Sequence, residues 1–280
     1  MKDVPDPAAP LAIVTGATSG IGLATARDLA STGATVILHG PTAASAQDAV
    51  RRLVAGGADQ RRLGIAVADF SRLSDVATLA HRLSARYQRI DVLVNNAAIA
   101  GPLRRTVTPD GNELTFQVNY LAPYLLTRLL TPRLRAARGR MVAVSSALHR
   151  TAGFDWADPQ LHEYYWPAAA YAQSKLALTM FTRALAEVQA DITAVSVHPG
   201  VVHTPLLHVY GNAGGPVDEA SAVVARLSSP DVVVLNGAYY DGSTPVTAAP
   251  MVSDHAAIAR LWRLTTALLG PHRFVPARAA

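Results

Sequence analysis

Short apolar runs alternate with helical stretches along almost the whole chain, and this alternation restricts the fold more than any other feature. Most runs contain Val, Ile, Leu and Ala without polar interruption, which is typical of strands that are buried on both faces of a parallel sheet. A helix between consecutive parallel strands implies a right-handed crossover. The sequence therefore predicts the α/β class, with a single doubly wound domain, a parallel seven-stranded sheet and helices on both faces.

The positions of the elements follow from the apolar runs and from helical periodicity. No linker interrupts the pattern, so we expect one domain over residues 11–270, a flexible leader at 1–10 and a tail at 271–280. Strands are predicted at Leu11–Thr15, Thr35–His39, Leu63–Ala68, Asp91–Asn95, Arg140–Ser145, Thr193–His198 and Val232–Leu235. Helices are predicted at Ile21–Ser31, Ala43–Ala55, Leu73–Tyr87, Leu114–Leu130 and Ala172–Gln189.

Composition excludes several classes of site. The 280 residues are 50% hydrophobic and 16% charged, so the chain can bury a large core. It contains no cysteine, which excludes disulfides, cysteine-ligated zinc, iron–sulfur clusters and thiol nucleophiles. The histidines show no paired ligand spacing, so we expect no metal site. No apolar run approaches the roughly 20 residues of a membrane-spanning helix, so we expect no membrane anchor and a cytoplasmic protein.

The net charge of +5 raises the question of a nucleic-acid partner. The 25 basic residues include only two lysines, Lys2 and Lys175, and they are spread along the chain. No basic stripe and no platform of aromatic and basic residues accompanies the charge. Nucleic acid is therefore not expected as a partner.

The first predicted strand runs directly into a glycine-rich turn that opens the first helix. The turn reads Thr15-Gly16-Ala17-Thr18-Ser19-Gly20-Ile21-Gly22. Glycines permit a tight turn and a close approach of the backbone to a pyrophosphate, while the helix N-terminus offers N–H donors. A plain strand-to-helix turn is the alternative, but the position after the first strand favours a dinucleotide loop in a Rossmann-type fold. The expected cofactor contacts in this turn are Gly16, Thr18, Ser19, Gly20, Ile21 and Gly22.

With three further segments, this TGxxxGxG turn resembles the short-chain dehydrogenase/reductase family over about residues 11–270. Asp69 and Phe70 stand where the family holds the adenine ring. The run 95–98 resembles the family's NNAG, with Ala98 in place of the glycine, and the run 198–204 resembles the PGxxxT segment that closes over the nicotinamide amide. Each segment follows a predicted strand, where ligands bind in doubly wound sheets. The resemblance implies cofactor contacts from Asp69, Phe70, Asn96, Ala97, Ala98, Pro199, Gly200, Val202 and Thr204.

Tyr171 and Lys175 form a YxxxK pair in a chain with nine tyrosines and only two lysines, so the spacing is seldom met by chance. Four residues separate them, which places both groups on one face of a helix. A free tyrosine has a pKa near 10, and a neighbouring cation lowers that pKa towards the range of a general acid or base. The alternative is an amphipathic helix from which both side chains simply reach solvent.

The family resemblance adds two catalytic candidates. Ser146, the second serine after the fifth strand, would point at the substrate oxygen, with Ser145 as the fallback. Asn119 resembles the family asparagine that bends its helix and holds a water in a proton relay to the lysine. An ordinary polar helix residue is the alternative for Asn119.

Together these residues predict hydride transfer between a nicotinamide and a carbonyl or secondary alcohol. Tyr171 would be the general acid or base, and Lys175 would also hold the nicotinamide ribose. Ser146 would donate to the developing alkoxide. A catalytically silent dinucleotide sensor on the same scaffold is the competing interpretation, but such a protein would be expected to lose the tyrosine or the lysine.

The end of the second strand normally reports on the ribose of the cofactor. A carboxylate there would bind the 2′-hydroxyl of NAD, and an arginine would bind the 2′-phosphate of NADP. The chain has neither, because Pro41 stands where the family often has arginine. Thr42 opens the next helix, whose N-terminus suits a phosphate, and His39 could assist. These features favour NADP(H), with NAD(H) as the alternative.

The segment between Ser146 and Tyr171 is long and aromatic, which resembles the retinol-dehydrogenase-like and WW-domain oxidoreductase-like subgroup. We expect residues 147–170 to be a substrate insert and 204–230 a lid. The aromatics either line a pocket for a bulky hydrophobic ketone or alcohol or pack the insert onto the body. The family also implies a homodimer or homotetramer, and the arginine- and alanine-rich composition suggests a bacterial ketoreductase.

Overall fold

The computed structural model describes residues 9–202 and 214–270. Within them the strands form one eight-stranded sheet in the order β3-β2-β1-β4-β5-β6-β7-β8. All neighbours pair in parallel except β7 and β8, which are antiparallel. The strands are β1 Leu11–Val14, β2 Thr35–Gly40, β3 Leu63–Val67, β4 Val92–Asn95, β5 Arg140–Val144, β6 Thr193–His198, β7 Tyr239–Asp241 and β8 Thr244–Val246.

The Rossmann-type α/β prediction is confirmed, but two details of the sheet are wrong. An antiparallel eighth strand follows the parallel seven. The seventh strand is not Val232–Leu235: that run is irregular, and Val233 is 96% exposed. The run has no strand partner among the described residues, and its Leu235 N–H donates to the Tyr240 hydroxyl at 2.8 Å. The true strand β7 has only three residues, which is too short to give an apolar pattern.

The helices lie close to their predicted positions. One difference concerns the predicted helix Leu114–Leu130, which is interrupted by a π-helical turn at Gln117–Leu121. A second is the helix that carries Tyr171, which begins at Pro167 because proline suits the first turn of a helix. The helices are α1 Gly20–Ser31, α2 Ala43–Ala55, α3 Leu73–Arg86, α4 Leu114–Phe116, α5 Ala122–Ala137, α6 Pro167–Val188, α7 Val217–Ser228 and α8 His255–Leu269.

Two apolar cores cover the two faces of the sheet, so the chain is doubly wound as predicted. One core joins α1, α2 and α7 to side chains such as Val14 and Val94. The other joins α3, α5, α6 and α8 to side chains such as Ile13 and Leu93. Consecutive residues of β1 therefore enter opposite cores, which is why the strands are apolar throughout rather than alternating.

Helix α8 packs across α5, α6 and the π-helical turn. The Tyr120 hydroxyl lies 2.6 Å from Thr265 Oγ1, and the Trp262 ring meets the Tyr124 ring edge-on at 5.4 Å. The apolar side chains of α6 from Leu176 to Leu185 are consequently buried within this one chain. The expected homodimer or homotetramer stays a prediction, and these side chains do not require a partner to cover them.

Candidate active site

The glycine-rich turn is locked against the end of β4. Gly16 and Gly20 have φ angles of +63° and +52°, a region that favours glycine. A Cβ on Gly16 would lie 2.7 Å from the Cα of Ala97, and one on Gly22 would collide with the carbonyl oxygen of Gly16 and the side chain of Asn96. Only glycine fits at these positions, so the backbone itself forms the surface of the turn.

Thr15 holds this turn to the β4 end and was not among the predicted contacts. Its hydroxyl donates to the Val94 carbonyl at 3.2 Å and accepts from the N–H groups of Asn96 and Ala97 at 2.9 and 3.0 Å. In return, the Asn96 side-chain amide donates to the Thr15 carbonyl at 2.8 Å. The threonine at the head of the TGxxxGxG motif was the available signal, since it is the residue at which the strand leaves the sheet.

His39 supports the same turn from the β2 side. Its Nδ1 accepts from the Gly16 N–H at 3.2 Å, so Nε2 carries the hydrogen and donates to the Ala68 carbonyl at 3.0 Å. Its ring stacks on Phe70 with centroids 4.4 Å apart. Burial lowers the pKa of His39 to about 4, so the ring is neutral. Both ring nitrogens are used within the protein, so His39 does not offer a charge to a phosphate as the sequence suggested.

A cavity of about 650 Å³ begins at this turn and runs towards α6. Its walls include the glycine-rich turn, the β3 end with Asp69, the β4 end from Asn96 to Pro102, and Val144 with Lys175. Most of the predicted cofactor contacts line this one cavity. They are Gly16, Thr18, Ser19, Gly20, Ile21, Gly22, His39, Asp69, Phe70, Asn96, Ala97, Ala98 and Lys175. A larger groove of about 790 Å³ along the edge strand β3 contains none of the motif residues.

The two helix N-termini at this end of the sheet differ. Helix α1 has no side-chain cap on its first turn, and its N-cap residue is Ser19. Helix α2 is capped by Thr42, whose hydroxyl accepts from the Ser45 N–H at 3.2 Å. An uncapped helix start leaves N–H donors for an anion, so α1 suits the pyrophosphate of a dinucleotide. With the space that Gly16 and Gly22 leave open, the described residues fit such a cofactor.

Tyr171 and Lys175 lie on one face of α6, as their spacing predicts, and both are buried. Lys175 Nζ lies 5.5 Å from the centre of the Tyr171 ring and donates to the Val144 carbonyl at 2.7 Å. Burial lowers the pKa of Lys175 from 10.5 to about 7, so its ammonium ion readily gives up a proton. Buried ionisable groups with shifted pKa values beside a cavity are typical of active sites.

The two candidate serines after β5 have different surroundings. The hydroxyl of Ser145 lies 2.7 Å from Thr179 Oγ1 of α6, which ties it to the helix. Ser146 accepts from the Leu148 N–H at 3.1 Å and caps a short 3-10 turn, Ala147–Arg150. The contact with α6 explains Ser145 as a structural residue and favours Ser146 as the candidate for the reaction.

Asn119 lies in the π-helical turn and joins the β4 end to α6. Its Oδ1 accepts from the Ile99 N–H at 2.8 Å, and its Nδ2 donates to the Ile99 carbonyl and to Ser174 Oγ, both at 3.0 Å. Ser174 in turn donates to the Tyr171 carbonyl at 2.7 Å. Asn119 is therefore a buried bridge rather than an ordinary polar helix residue. Ser174 is a member of this network that the sequence analysis did not single out.

Comparisons with known proteins decide the family. A profile for the short chain dehydrogenase matches residues 10–213. The chain belongs to the short-chain dehydrogenase/reductase family. Retinol dehydrogenase 14 of Mus musculus is 32% identical over 92% of this chain and 85% of its own length. A Streptomyces sp. (strain C5) protein, whose name proposes a daunorubicin C-13 ketoreductase, is 34% identical over 92% of both chains.

A solved structure gives the same result at the level of the fold. The crystal structure of an uncharacterized protein from Mycobacterium Paratuberculosis is 31% identical, covers 95% of both chains and superposes with a TM-score of 0.76. The predicted resemblance to the retinol-dehydrogenase-like subgroup is therefore confirmed. The family fold binds a nicotinamide dinucleotide.

The segment expected to close over the nicotinamide is described in part. Pro199, Gly200 and Val202 follow β6, with Gly200 at a φ of +105°. Thr204 lies outside the described residues, as does the first part of the expected lid 204–230. On either side of the residues that are not described, Val202 and Gly215 form a parallel bridge, and the Gly215 N–H donates to the Val201 carbonyl at 2.8 Å.

The aromatic side chains of residues 147–170 divide into two sets. Phe154 packs on Phe116 and Trp156 at centroid distances of 6.1 and 4.2 Å, and this set holds the insert to the body. Tyr164 and Trp166, in contrast, are 87% and 70% exposed. The hydroxyl between them, on Tyr165, donates to the Pro102 carbonyl at 2.9 Å, which fixes this set beside the rim of the cavity.

Within residues 9–202 and 214–270, every helix falls short of the length or the apolar character that a membrane crossing requires. The histidine and carboxylate side chains of the same residues nowhere gather in threes at a distance that would hold a metal ion.

Proposed function

We propose that this protein is an NADP(H)-dependent oxidoreductase that interconverts a carbonyl and a secondary alcohol on a bulky hydrophobic substrate. The observation that carries the proposal is the placement of Tyr171 and Lys175. Both are buried on one face of α6, and Lys175 lines the cavity that begins at the glycine-rich turn. The lysine of the proposed acid–base pair thus lines the same cavity as the proposed dinucleotide site.

The described residues divide the cofactor between them. The N–H groups at the start of α1 would hold the pyrophosphate, and Asp69 with the Phe70 backbone would hold the adenine. Asn96, Ala97 and Ala98 would line the ribose next to the nicotinamide, with Pro199, Gly200 and Val202 beyond it; Thr204, which the resemblance also implies, lies outside the described residues. When bound, the nicotinamide supplies or accepts the hydride.

The protein's own residues transfer the proton and stabilise the charge on the substrate oxygen. Tyr171 gives its phenolic proton to the substrate oxygen in reduction and takes it back in oxidation. Ser146 donates a hydrogen bond to the same oxygen, where negative charge develops in the transition state. Lys175 favours the phenolate by its charge, and its pKa of about 7 also lets it pass a proton near neutral pH. Asn119 holds the backbone that leads to this relay.

A preference for NADP(H) is supported by the charges around the turn. No carboxylate follows β2, so nothing there repels a 2′-phosphate. Arg52 of α2 brings a cation to this turn: its Nη1 lies 3.4 Å from the Thr18 carbonyl, and no carboxylate pairs with it in the described part of the chain. Arginine suits phosphate recognition because its planar guanidinium donates two hydrogen bonds at once. We infer that Arg52 takes the place of the arginine that Pro41 replaces.

A hydrophobic substrate is supported by the rim of the cavity. Leu103 follows Pro102 of the cavity wall, and Tyr164 and Trp166 flank Tyr165, whose hydroxyl is bonded to the Pro102 carbonyl. The three side chains are 91%, 87% and 70% exposed, and an exposed apolar patch beside a cavity suits a hydrophobic ligand. The names of the relatives refer to retinol and polyprenol, both long apolar alcohols. A lipophilic alcohol or its ketone would bury part of this rim when it enters.

A paired titration tests the proposal against the silent-sensor alternative. NADPH and NADH are titrated into the wild-type protein and into Tyr171→Phe by fluorescence, and both proteins are then given NADPH with a series of hydrophobic ketones. We expect both to bind NADPH more tightly than NADH and only the wild type to oxidise it. Binding without turnover in the wild type would favour the sensor, and no binding of either cofactor would end the enzyme proposal.

A further inference from the structure

His149 occupies a buried position close to the reacting groups, and the sequence analysis gave it no role. It lies in the 3-10 turn Ala147–Arg150, three residues after Ser146, and its exposed fraction is 0%. A buried histidine must satisfy both ring nitrogens, because each is polar and each unpaired polar atom costs free energy. The partners of those nitrogens therefore define what the residue does.

The two ring bonds of His149 fix its tautomer. Nε2 lies 3.2 Å from the backbone nitrogen of Ala249, which can only donate, so Nε2 is the acceptor. The hydrogen must then sit on Nδ1, which lies 2.7 Å from the Ser146 carbonyl and donates to it. One neutral tautomer satisfies both bonds. The ring thereby connects the backbone of Ser146 to the segment that follows β8.

Charged and titratable groups surround the ring from three elements. Arg150 is the next residue of the same turn, and its guanidinium lies over the Tyr239 ring of β7 and 3.9 Å from Asp241. His198 stands at the end of β6, and the His149 ring itself packs on Tyr239 with centroids 4.3 Å apart. Burial, together with Arg150 and His198, lowers the pKa of His149, so these surroundings keep the ring neutral.

We propose that His149 is a positioning residue that holds Ser146 in place for the reaction through the bond from its Nδ1–H to the Ser146 carbonyl, while the Ala249 N–H fixes the tautomer that makes this bond. We call the bond to Ser146 the clamp. Ser146 caps its own turn through Leu148, so the direction of its hydroxyl depends on the shape of that turn. The clamp fixes the turn at the carbonyl of the same residue. This inference rests on the proposed function, because only there does the position of Ser146 matter for the rate.

Three substitutions separate the two bonds. In His149→Asn the amide nitrogen stands where Nδ1 stands, so the bond to Ser146 is kept and the bond to Ala249 is lost. In His149→Gln the amide oxygen reaches the position of Nε2, so the bond to Ala249 is kept and the bond to Ser146 is lost. His149→Phe keeps a ring against Tyr239 and loses both bonds.

We expect kcat to separate these variants while NADPH binding stays unchanged. His149→Asn should keep kcat within about threefold of the wild type, whereas His149→Gln and His149→Phe should lose about tenfold or more, since a mispositioned donor weakens transition-state stabilisation. A purely structural histidine would lower Tm in all three without this order in kcat. Equal kcat values for the Asn and Gln variants would overturn the proposal.

A second measurement does not depend on turnover. Long-range ¹H–¹⁵N NMR of the wild-type imidazoles, assigned with His149→Gln, should show the Nδ1-H tautomer for His149 and no titration near the ordinary histidine pKa of about 6.5. An Nε2-H tautomer or an ordinary titration would refute the clamp. A protein that shows the clamp but reduces no ketone would instead refute the proposed function.

Discussion

The two ends of the cavity are built by opposite means. At the nucleotide end, the proposed place of the pyrophosphate, close packing leaves no room for a Cβ on Gly16 or Gly22, and the buried His39 ring is neutral and bonds to the backbone. At the chemical end, Lys175 lines the cavity and His149 is buried three residues after Ser146, and the pKa of each is lowered. The first end depends on shape and buries no charged ring, while the second buries groups whose lowered pKa values destabilise the fold, as the proposed reaction would require.

The largest expected effect concerns Lys175. Lys175→Met should abolish turnover, by at least about a thousandfold in kcat, because the phenol loses its cation. It should also raise the free energy of unfolding at pH 7 by about 2 kcal/mol. The unfolded chain holds the lysine proton with the ordinary pKa of 10.5, whereas the folded protein holds it weakly, with a pKa of about 7, and the substitution removes this cost. Losing the hydrogen bond to Val144 offsets part of the gain. Denaturation in urea and NADPH oxidation measure the two effects.

The stability gain of Lys175→Met should depend on pH. The pKa of Lys175 is lowered in the folded state, so the pH-dependent cost of burying it is absent above pH 10.5, grows as the pH falls and is complete only below pH 7. The gain of Lys175→Met should therefore shrink as the pH rises from 7 to 10.5. A gain that does not change with pH would show that the lysine is not buried as a titrating group.

The nucleotide end should respond to shape. Gly22→Ala should weaken NADPH binding by about a hundredfold and lower stability by about 2 kcal/mol, because the new methyl group meets the Gly16 carbonyl and the Asn96 side chain. Gly153→Ala is the matched control, since nothing lies within 4 Å of its Cβ position. If both variants bind NADPH like the wild type, the close packing of the turn is not what forms the site.

His39 should give the nucleotide end an acid limit. Its folded pKa of about 4 lies below the ordinary 6.5, so its contribution is complete above pH 6.5 and is lost as the pH falls towards 4, by up to about 3 kcal/mol. His39→Gln should be less stable at pH 7 by about 1 kcal/mol and should lose this part of the slope. Urea denaturation of the wild type and of His39→Gln at several pH values measures this difference. If the free energies of unfolding of the two proteins fall in parallel below pH 6.5, His39 is not the cause of the acid loss.

The smallest expected effect tests the cofactor preference. Arg52→Gln should raise the KM for NADPH about fivefold and leave that for NADH unchanged, because only the former carries the 2′-phosphate. Arg51→Gln is the control on the same helix, since Arg51 is paired with Asp48 at 3.0 Å and has no contact with the turn. Equal changes for both cofactors would mean that Arg52 acts on the stability of the turn rather than on the phosphate.

The sequence predicted the parts of this protein that depend on local pattern. Six strands and the face shared by Tyr171 and Lys175 follow from apolar runs and helical spacing, and the structure has them. Strand β7 was misplaced because its three residues, Tyr239–Asp241, gain their strand conformation from pairing with β6 and β8 rather than from their own pattern.

Roles that depend on partners distant in the sequence could not be predicted from local pattern. His39 reads as a polar residue near a phosphate, yet its function is set by Gly16 and Ala68. His149 is bonded to Ala249, one hundred residues away, which no spacing rule reveals. The resemblance already favoured Ser146 over Ser145, but the physical reason, the contact of Ser145 with Thr179, exists only in the packed structure.

The bridge between Val202 and Gly215 has a consequence for how far the length of the sequence between them can change. Because the folded body already holds these two residues side by side, the residues that join them do not have to set the distance between the two ends. Doubling the length of a flexible loop costs only about 0.6 kcal/mol in chain entropy. Insertions between Val202 and Gly215 should therefore change the stability of the rest of the protein only slightly.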